Sequence, residues 1–249
     1  MLLRAILPPL EERDEQCALD LVKQVGPCQK RVILFGGTLE FTAHLIFEGI
    51  PQNAYKVVLV DASEDIINMY REEIGCYSRE LAAYLEICVC DWENPADTRF
   101  TFEPDDVVLC VRMLHHMDRP TQALQRIKAA VPHGVVLIVD TTEELFDELI
   151  ARHEAERSVF RATLADEGAT EELAMYEQHW QHVDWHFTQC SIGLENVGFR
   201  DEHAIKRFLV GTDLNNGRFE YAPECPCGGA CGTRGGYWFY LWQGAPATS

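Results

Sequence analysis

A chain of 249 residues with 47% hydrophobic content has material for one α/β domain or two small ones, with a large core. Its formal net charge of −19, with no Lys/Arg cluster beyond isolated pairs, argues against nucleic acid as the main partner, because phosphate binding needs a basic face. The opening MLLRAILPPLEERDE is interrupted by Pro8-Pro9 too early for a signal peptide, and no apolar run approaches membrane-spanning length, so a cytoplasmic protein without a membrane partner is expected.

Leu10 to Val25 carries apolar residues at helical spacing and stops before Gly26-Pro27. Val32-Ile33-Leu34-Phe35 is a short, wholly apolar run, which suits a parallel strand buried on both faces. Gly36-Gly37 then permits a tight turn and close approach of the backbone to a ligand. Thr38 or Glu40 caps the next helix, on which Phe41, His44, Leu45 and Phe47 recur near helical spacing. Lys56 to Val60 is a second strand and ends on Asp61, the position from which nucleotide-binding α/β folds hold a ribose diol.

Ser63 caps a third helix that stops near Gly75. Leu85 to Cys90 is a strand closing on Asp91-Trp92, and Asp105 to Val111 is another, running into Arg112-Met113-Leu114-His115-His116. Arg119 to Val131 is helical, and Val135 to Val139 is a fifth strand ending at Asp140. Five apolar strands alternating with helices predict a parallel sheet covered on both faces. Right-handed crossovers put all five strand ends on one side, bringing together Gly36-Gly37, Asp61, Asp91-Trp92, the Arg112 to His116 segment and Asp140.

Residues 141–196 read as a helical insert, broken at Asp166-Glu167-Gly168, that serves as a lid over a pocket. A sixth strand is expected from Gly198-Phe199 to about Val210, and an aromatic seventh from Gly236 to Trp242, the pair forming an antiparallel hairpin. Between them, residues 211–235 form a glycine- and cysteine-rich loop. The whole chain, 1–249, is read as a single domain with an N-terminal helix over 10–25.

In its order and spacing this pattern resembles the class I S-adenosylmethionine-dependent methyltransferases. The resemblance is carried by FGGTLE, VVLVDAS, VCDW, DDVVLCVRMLHHM and GVVLIVD, followed by a helical insert, VGFRDE and a final aromatic strand. It implies a doubly wound, seven-stranded, mostly parallel sheet with an antiparallel final strand. It also implies S-adenosylmethionine as cofactor, bound by Phe35, Gly36, Gly37, Thr38, Glu40, Asp61, Ala62, Asp91, Trp92 and Arg112. Asp61 would hold the ribose hydroxyls and Asp91 the adenine amine, with Ala62 and Trp92 flanking the ring. Aligned on Gly37-Thr38, the chain departs from the family's first motif: Ile33 stands at the acid, Phe35 at the first glycine and Leu39 at the third.

The catalytic candidates are histidines. His115 and His116 follow the fourth strand, where the family's histidines mainly shape the pocket floor. A base near neutral pH there would deprotonate a hydroxyl or an acidic carbon. His179, His182 and His186 share one helix face, and His182 is the lid's candidate for acid–base work, a pocket wall or a metal site being the alternatives. Of the ten cysteines, Cys225, Cys227 and Cys231 stand apart in a glycine-rich loop. They read as zinc ligands lacking a local fourth partner, as a redox pair or as plain loop residues.

The leading functional expectation is methylation of a small molecule in secondary metabolism, by a monomer or a homodimer. One alternative keeps the fold for cyclisation, elimination or isomerisation. The other is a metal-binding or regulatory module with a vestigial pocket.

Overall fold

The computed structural model describes residue 19 and residues 31–36, 39–45, 56–77, 84–214, 216–222 and 237–245. They form two compact units, one of residues 1–140, 207–220 and 238–249, the other of residues 141–206 and 221–237.

The elements follow in the order β1 (Val32–Gly36), α1 (Leu39–His44), β2 (Val57–Asp61), α2 (Glu64–Tyr77), β3 (Leu85–Val89) and β4 (Val107–Val111). A single helical turn, Leu114–His116, precedes α3 (Pro120–Ala130) and β5 (Val135–Thr141). Then come α4 (Glu143–Asp166), α5 (Thr170–Val197), α6 (Glu202–Gly211), β6 (Arg218–Ala222) and β7 (Tyr237–Gln243). The sheet runs β3-β2-β1-β4-β5-β7-β6, parallel through its first five members and antiparallel at its end. Seven strands, doubly wound and mostly parallel, are what the sequence predicts.

β1 sits at the middle because its side chains are apolar on both faces. Ile33, Leu34 and Phe35 are fully buried, and Val32 registers with Val57 on one side and Val107 on the other. α2 begins where predicted, the Ile66 amide donating to Ser63 Oγ at 3.3 Å, with Glu64 and Asp65 in its first turn favoured by the helix dipole. It continues through Gly75 to Tyr77 rather than stopping there. α3 starts with Pro120 in its first turn and buries Ala123, Leu124 and Ile127, one face at helical spacing.

In the second unit, α4 and α5 are long and separated by Gly168 at φ 69°, so the predicted break falls where glycine permits it. Gly198 ends α5 in a left-handed cap, its amide donating to Leu194 O at 2.9 Å.

Two expectations fail near the C-terminus. Residues 198–210 are not a strand, since Glu202–Gly211 is helix α6. Ile205 and Leu209 are its buried residues, four apart, and the Ala204 amide donates to Asp201 Oδ1 at 2.8 Å, an N-cap that outweighs the β-branched content. The sixth strand lies later, at Arg218–Ala222, inside the stretch read as loop. Tyr240 fastens this region, its hydroxyl donating to Leu214 O and accepting the Gly217 amide at 2.9 Å.

Of the expected N-terminal helix, only Leu19 lies among the described residues, helical and buried. Cys225, Cys227 and Cys231 lie outside them. Among the described residues, no helix is long and apolar enough to cross a membrane.

Candidate functional site

In a sheet of this winding, ligands bind beyond the carboxyl ends of the strands where the order reverses, here between β1 and β4. Gly36 ends β1 at φ 78° and registers with Val111. A Cβ placed there would lie 2.3 Å from Val111 O, so no other residue fits without moving β4. On β4 the following residue, Arg112, is itself left-handed at φ 51°, held by its amide bond to Val139 O at 2.7 Å. Strain of this kind collects where a chain must leave a sheet abruptly to place functional groups.

What the turn places is His115. Its Nδ1 lies 2.7 Å from Asp140 Oδ1, while Asp140 Oδ2 accepts the Leu114 amide at 3.0 Å. Asp140 is fully buried and His115 is 4% exposed. The carboxylate therefore selects the tautomer that carries its proton on Nδ1, and Nε2 becomes the basic nitrogen of the ring. His116 is exposed, its ring 4.2 Å from that of His115.

Asp61 ends β2 with Oδ1 accepting the Ser63 amide at 2.8 Å. Burial pushes its carboxyl above the ordinary range, and the Ser63 amide, the charge of His116 and the Ala62 amide pull it partly back. Ala62 itself is exposed. Asp91, after β3, is exposed, and its amide donates at 2.9 Å to Asp97, whose carboxyl Arg99 holds well below the usual range.

Phe35 is committed to an aromatic cluster. Its ring lies 4.5 Å from that of Trp92, with Phe102 at 6.2 Å and Phe100 at 6.5 Å. Trp92 is only 5% exposed, so much of its surface is already covered. Gly37 and Thr38 lie outside the described residues, as do the side chains of Glu40 and His182, whose backbones belong to α1 and α5. Asp140 is the participant that sequence reasoning placed at a strand end without assigning it a role; its signal was an acid closing a strand, like Asp61 and Asp91.

Residues 37–139 match the model of the family described as "Methyltransferase domain". Among solved structures, the SeMet-substituted CurJ carbon methyltransferase is 12% identical, with a TM-score of 0.55 over 94% of this chain and 56% of that one. The methyltransferase domain of bacterial CtHen1-C is 10% identical, with a TM-score of 0.54 over 93% of this chain and 97% of that one. The small RNA methyltransferase HEN1 is 10% identical, with a TM-score of 0.58 over 97% of this chain and 26% of that one. The chain thus spans 56% of the CurJ chain and 26% of HEN1. No curated protein matches it. The fold is that of the methyltransferases, and residues 37–139 are similar to the methyltransferase-domain family.

The family that residues 37–139 resemble implies S-adenosylmethionine as methyl donor. The residues present fit it at two points. Gly36 keeps a Cβ out of the turn at the switch point, and Asp61 ends β2 with a half-buried carboxylate.

Proposed function

We propose that the protein methylates a small molecule through an acidic C–H or O–H, with His115 as general base and Asp140 as the residue that positions it. The observation that carries this reading is the buried 2.7 Å pair of His115 and Asp140 at the strand ends. Asp61 would hold the ribose hydroxyls, Asp91 the adenine amine and the Gly36 turn the chain between them, with Ala62, Trp92 and Arg112 around it. When bound, S-adenosylmethionine supplies an electrophilic methyl carbon.

His115 Nε2 would take the acceptor's proton and leave the electron pair on the acceptor. The donor, when bound, would supply the methyl group, its methyl–sulfur bond breaking with the pair left on sulfur as the new bond forms. Asp140 stabilises the imidazolium that results, and the burial of His115 keeps the proton from leaking to solvent. CurJ is named a carbon methyltransferase, which agrees with proton abstraction from carbon. HEN1 is named a small RNA methyltransferase, but a net charge of −19 here favours an uncharged or cationic acceptor over a polyanion. A cytoplasmic biosynthetic enzyme is the corresponding setting.

Calorimetry with S-adenosylmethionine is the test. Saturable binding that Asp61→Ala weakens at least tenfold is expected, and a folded sample that binds none overturns the reading. The covered face of Trp92 favours a second reading, in which the fold performs an isomerisation or elimination without methyl transfer. Product mass separates the two, since a gain of one methyl group per turnover excludes the second.

A further inference from the structure

The loop after β3 and the turn after β4 are separate stretches of chain, yet one side chain joins them. Glu93 Oε1 accepts the Arg119 amide at 2.8 Å, and its Oε2 accepts the Asp118 amide at 3.2 Å. Arg126 of α3 donates from Nη1 to Glu93 O at 2.8 Å, so the backbone of the same residue is held from the same side. Glu93 stands two residues after Asp91, and Asp118 stands three residues after His115. We propose that Glu93 is a positioning residue that ties the adenine end of the cofactor site to the turn carrying His115, so that filling the first adjusts the second. In the methyl-transfer reading on which this rests, Asp91 and Trp92 meet the adenine and His115 is the base.

The start of α3 shows why the bond is more than a helix cap. α3 opens with Pro120, which has no N–H, and Arg119 before it makes no side-chain cap bond. A local Ser or Asp would cap the helix by itself. The amides leading into it are met instead by a carboxylate from the other half of the site, 25 and 26 residues away. Hydrogen bonds to a carboxylate are roughly twice as strong as neutral ones, and two on one group fix direction as well as distance.

Both connected segments are stiff. On the His115 side, the His116 amide donates to Met113 O at 3.0 Å and the Met117 amide to Leu114 O at 3.2 Å, with Met117 buried. Pro120 restricts Arg119 beyond it. On the adenine side, the Asn94 amide donates to Asp91 O at 3.0 Å, closing a turn that contains Trp92 and Glu93. Asp97 Oδ2 accepts the Asp91 amide at 2.9 Å and holds that turn to the rest of the loop. A displacement at Asp91 is therefore carried through Glu93 to the exit of the His115 turn rather than lost in slack chain. Asp140 fixes the ring from one side, and Glu93 fixes the end of its turn from the other.

Glu93→Gln isolates this role. The amide offers one acceptor where the carboxylate offers two, and turns a donor toward an N–H. The bonds lie at the surface, where water replaces them, so the variant is expected to fold.

The test is carbon–proton correlation NMR of the histidine Cε1–H groups during titration with adenosine, which lacks the cofactor's sulfur and amino-acid chain. His115→Gln assigns the resonance. A saturable shift of His115 is expected in the wild type, at the affinity calorimetry gives for adenosine. Glu93→Gln should bind adenosine within about threefold of the wild type, because Asp61 and Asp91 remain, and should lose at least half of the His115 shift at saturation. The remainder runs through the His116 ring, which lies 4.2 Å from that of His115 and whose charge acts on Asp61. Lys56→Met, which removes an exposed pair with Glu86 of β3, should keep the full shift. A wild type that binds neither adenosine nor S-adenosylmethionine overturns the methyl-transfer reading and this proposal with it. A wild type that binds S-adenosylmethionine but shows no His115 shift with adenosine overturns the proposal alone. So does an undiminished shift or a loss of adenosine binding in Glu93→Gln, or an equal loss of shift in Lys56→Met.

Discussion

Asp140 holds His115 through a 2.7 Å contact to Nδ1, and its second oxygen holds the backbone of Leu114 next to it. One carboxylate thus sets both the ring and the turn that presents it. Asp140 lies on β5 and His115 in the turn after β4, and these strands are neighbours, paired from Val107↔Val135 to Val111↔Val139. The pairing register is what brings residues 25 apart in sequence within bonding distance.

Replacing Asp140 by Asn keeps the shape but lets the amide accept or donate, so the tautomer is no longer enforced. Methyl transfer is expected to fall by about 10²-fold or more, within the range general-base catalysis contributes. The pH–rate profile should lose its ascending limb or shift it, whereas affinity for S-adenosylmethionine should stay within twofold. An Asp140→Asn enzyme with the wild-type profile and rate would remove Asp140 from the mechanism.

Asp61 gives a pH dependence whose direction is set by its burial. Its carboxyl is pushed above the ordinary range, so its protonated form appears at a less acidic pH than in the unfolded chain. Only the ionised form accepts two ribose hydroxyls. Cofactor affinity should therefore fall as pH drops through that raised pKa, while the fold gains from the same protonation. Asp61→Asn should flatten the pH dependence and bind weakly throughout. Equal acid sensitivity in the wild type and Asp61→Asn would assign the effect to another group.

Gly36→Ala tests the turn. Alanine would be forced into a positive φ with its Cβ 2.3 Å from Val111 O, both unfavourable. A loss of at least about 2 kcal/mol of stability is expected from the backbone conformation and contact together. Urea denaturation measures it, and a loss below about 0.5 kcal/mol, the ordinary surface value, would mean that the turn relaxes freely.

Much of this architecture was legible because a buried parallel strand needs an unbroken apolar run. Val32 to Phe35 and Val107 to Val111 have that pattern and no other common use for it. The strand ends followed from topology. Residues 198–210 misled because Phe208-Leu209-Val210 has strand-like composition, while the deciding features, the Asp201 cap and the four-residue spacing of Ile205 and Leu209, are quieter. The fate of Phe35 could not be read locally. Its ring goes to Trp92, Phe100 and Phe102, more than 50 residues away, which a single glycine motif does not encode. The His115–Asp140 pair was half legible: both residues were placed at strand ends, and only the register joins them.

Arg31 and Asp106 hold β1 and β4 in that register at their other ends. Asp106, fully buried, accepts Arg31 Nη2 at 2.8 Å and Nε at 3.1 Å, and also the Glu103 amide at 2.7 Å. Burial raises its carboxyl above the ordinary range, and the bonds from Arg31 act against that rise. Arg31→Met keeps much of the aliphatic stem but leaves a buried carboxylate without its cation. The cost should be about 2–3 kcal/mol, below the usual figure for a fully buried pair because Arg31 is partly exposed. In the variant the carboxyl rises further, so the charged form is penalised more. A raised carboxyl stabilises the fold below its unfolded pKa, and that contribution is lost as pH climbs through the folded value. The deficit of Arg31→Met should therefore be largest at neutral pH and shrink on acidification. Urea denaturation of both proteins at neutral and mildly acidic pH measures this, and a deficit that stays constant or grows in acid would show that Arg31 acts through its packing on Phe100, 5.7 Å away, rather than through its charge.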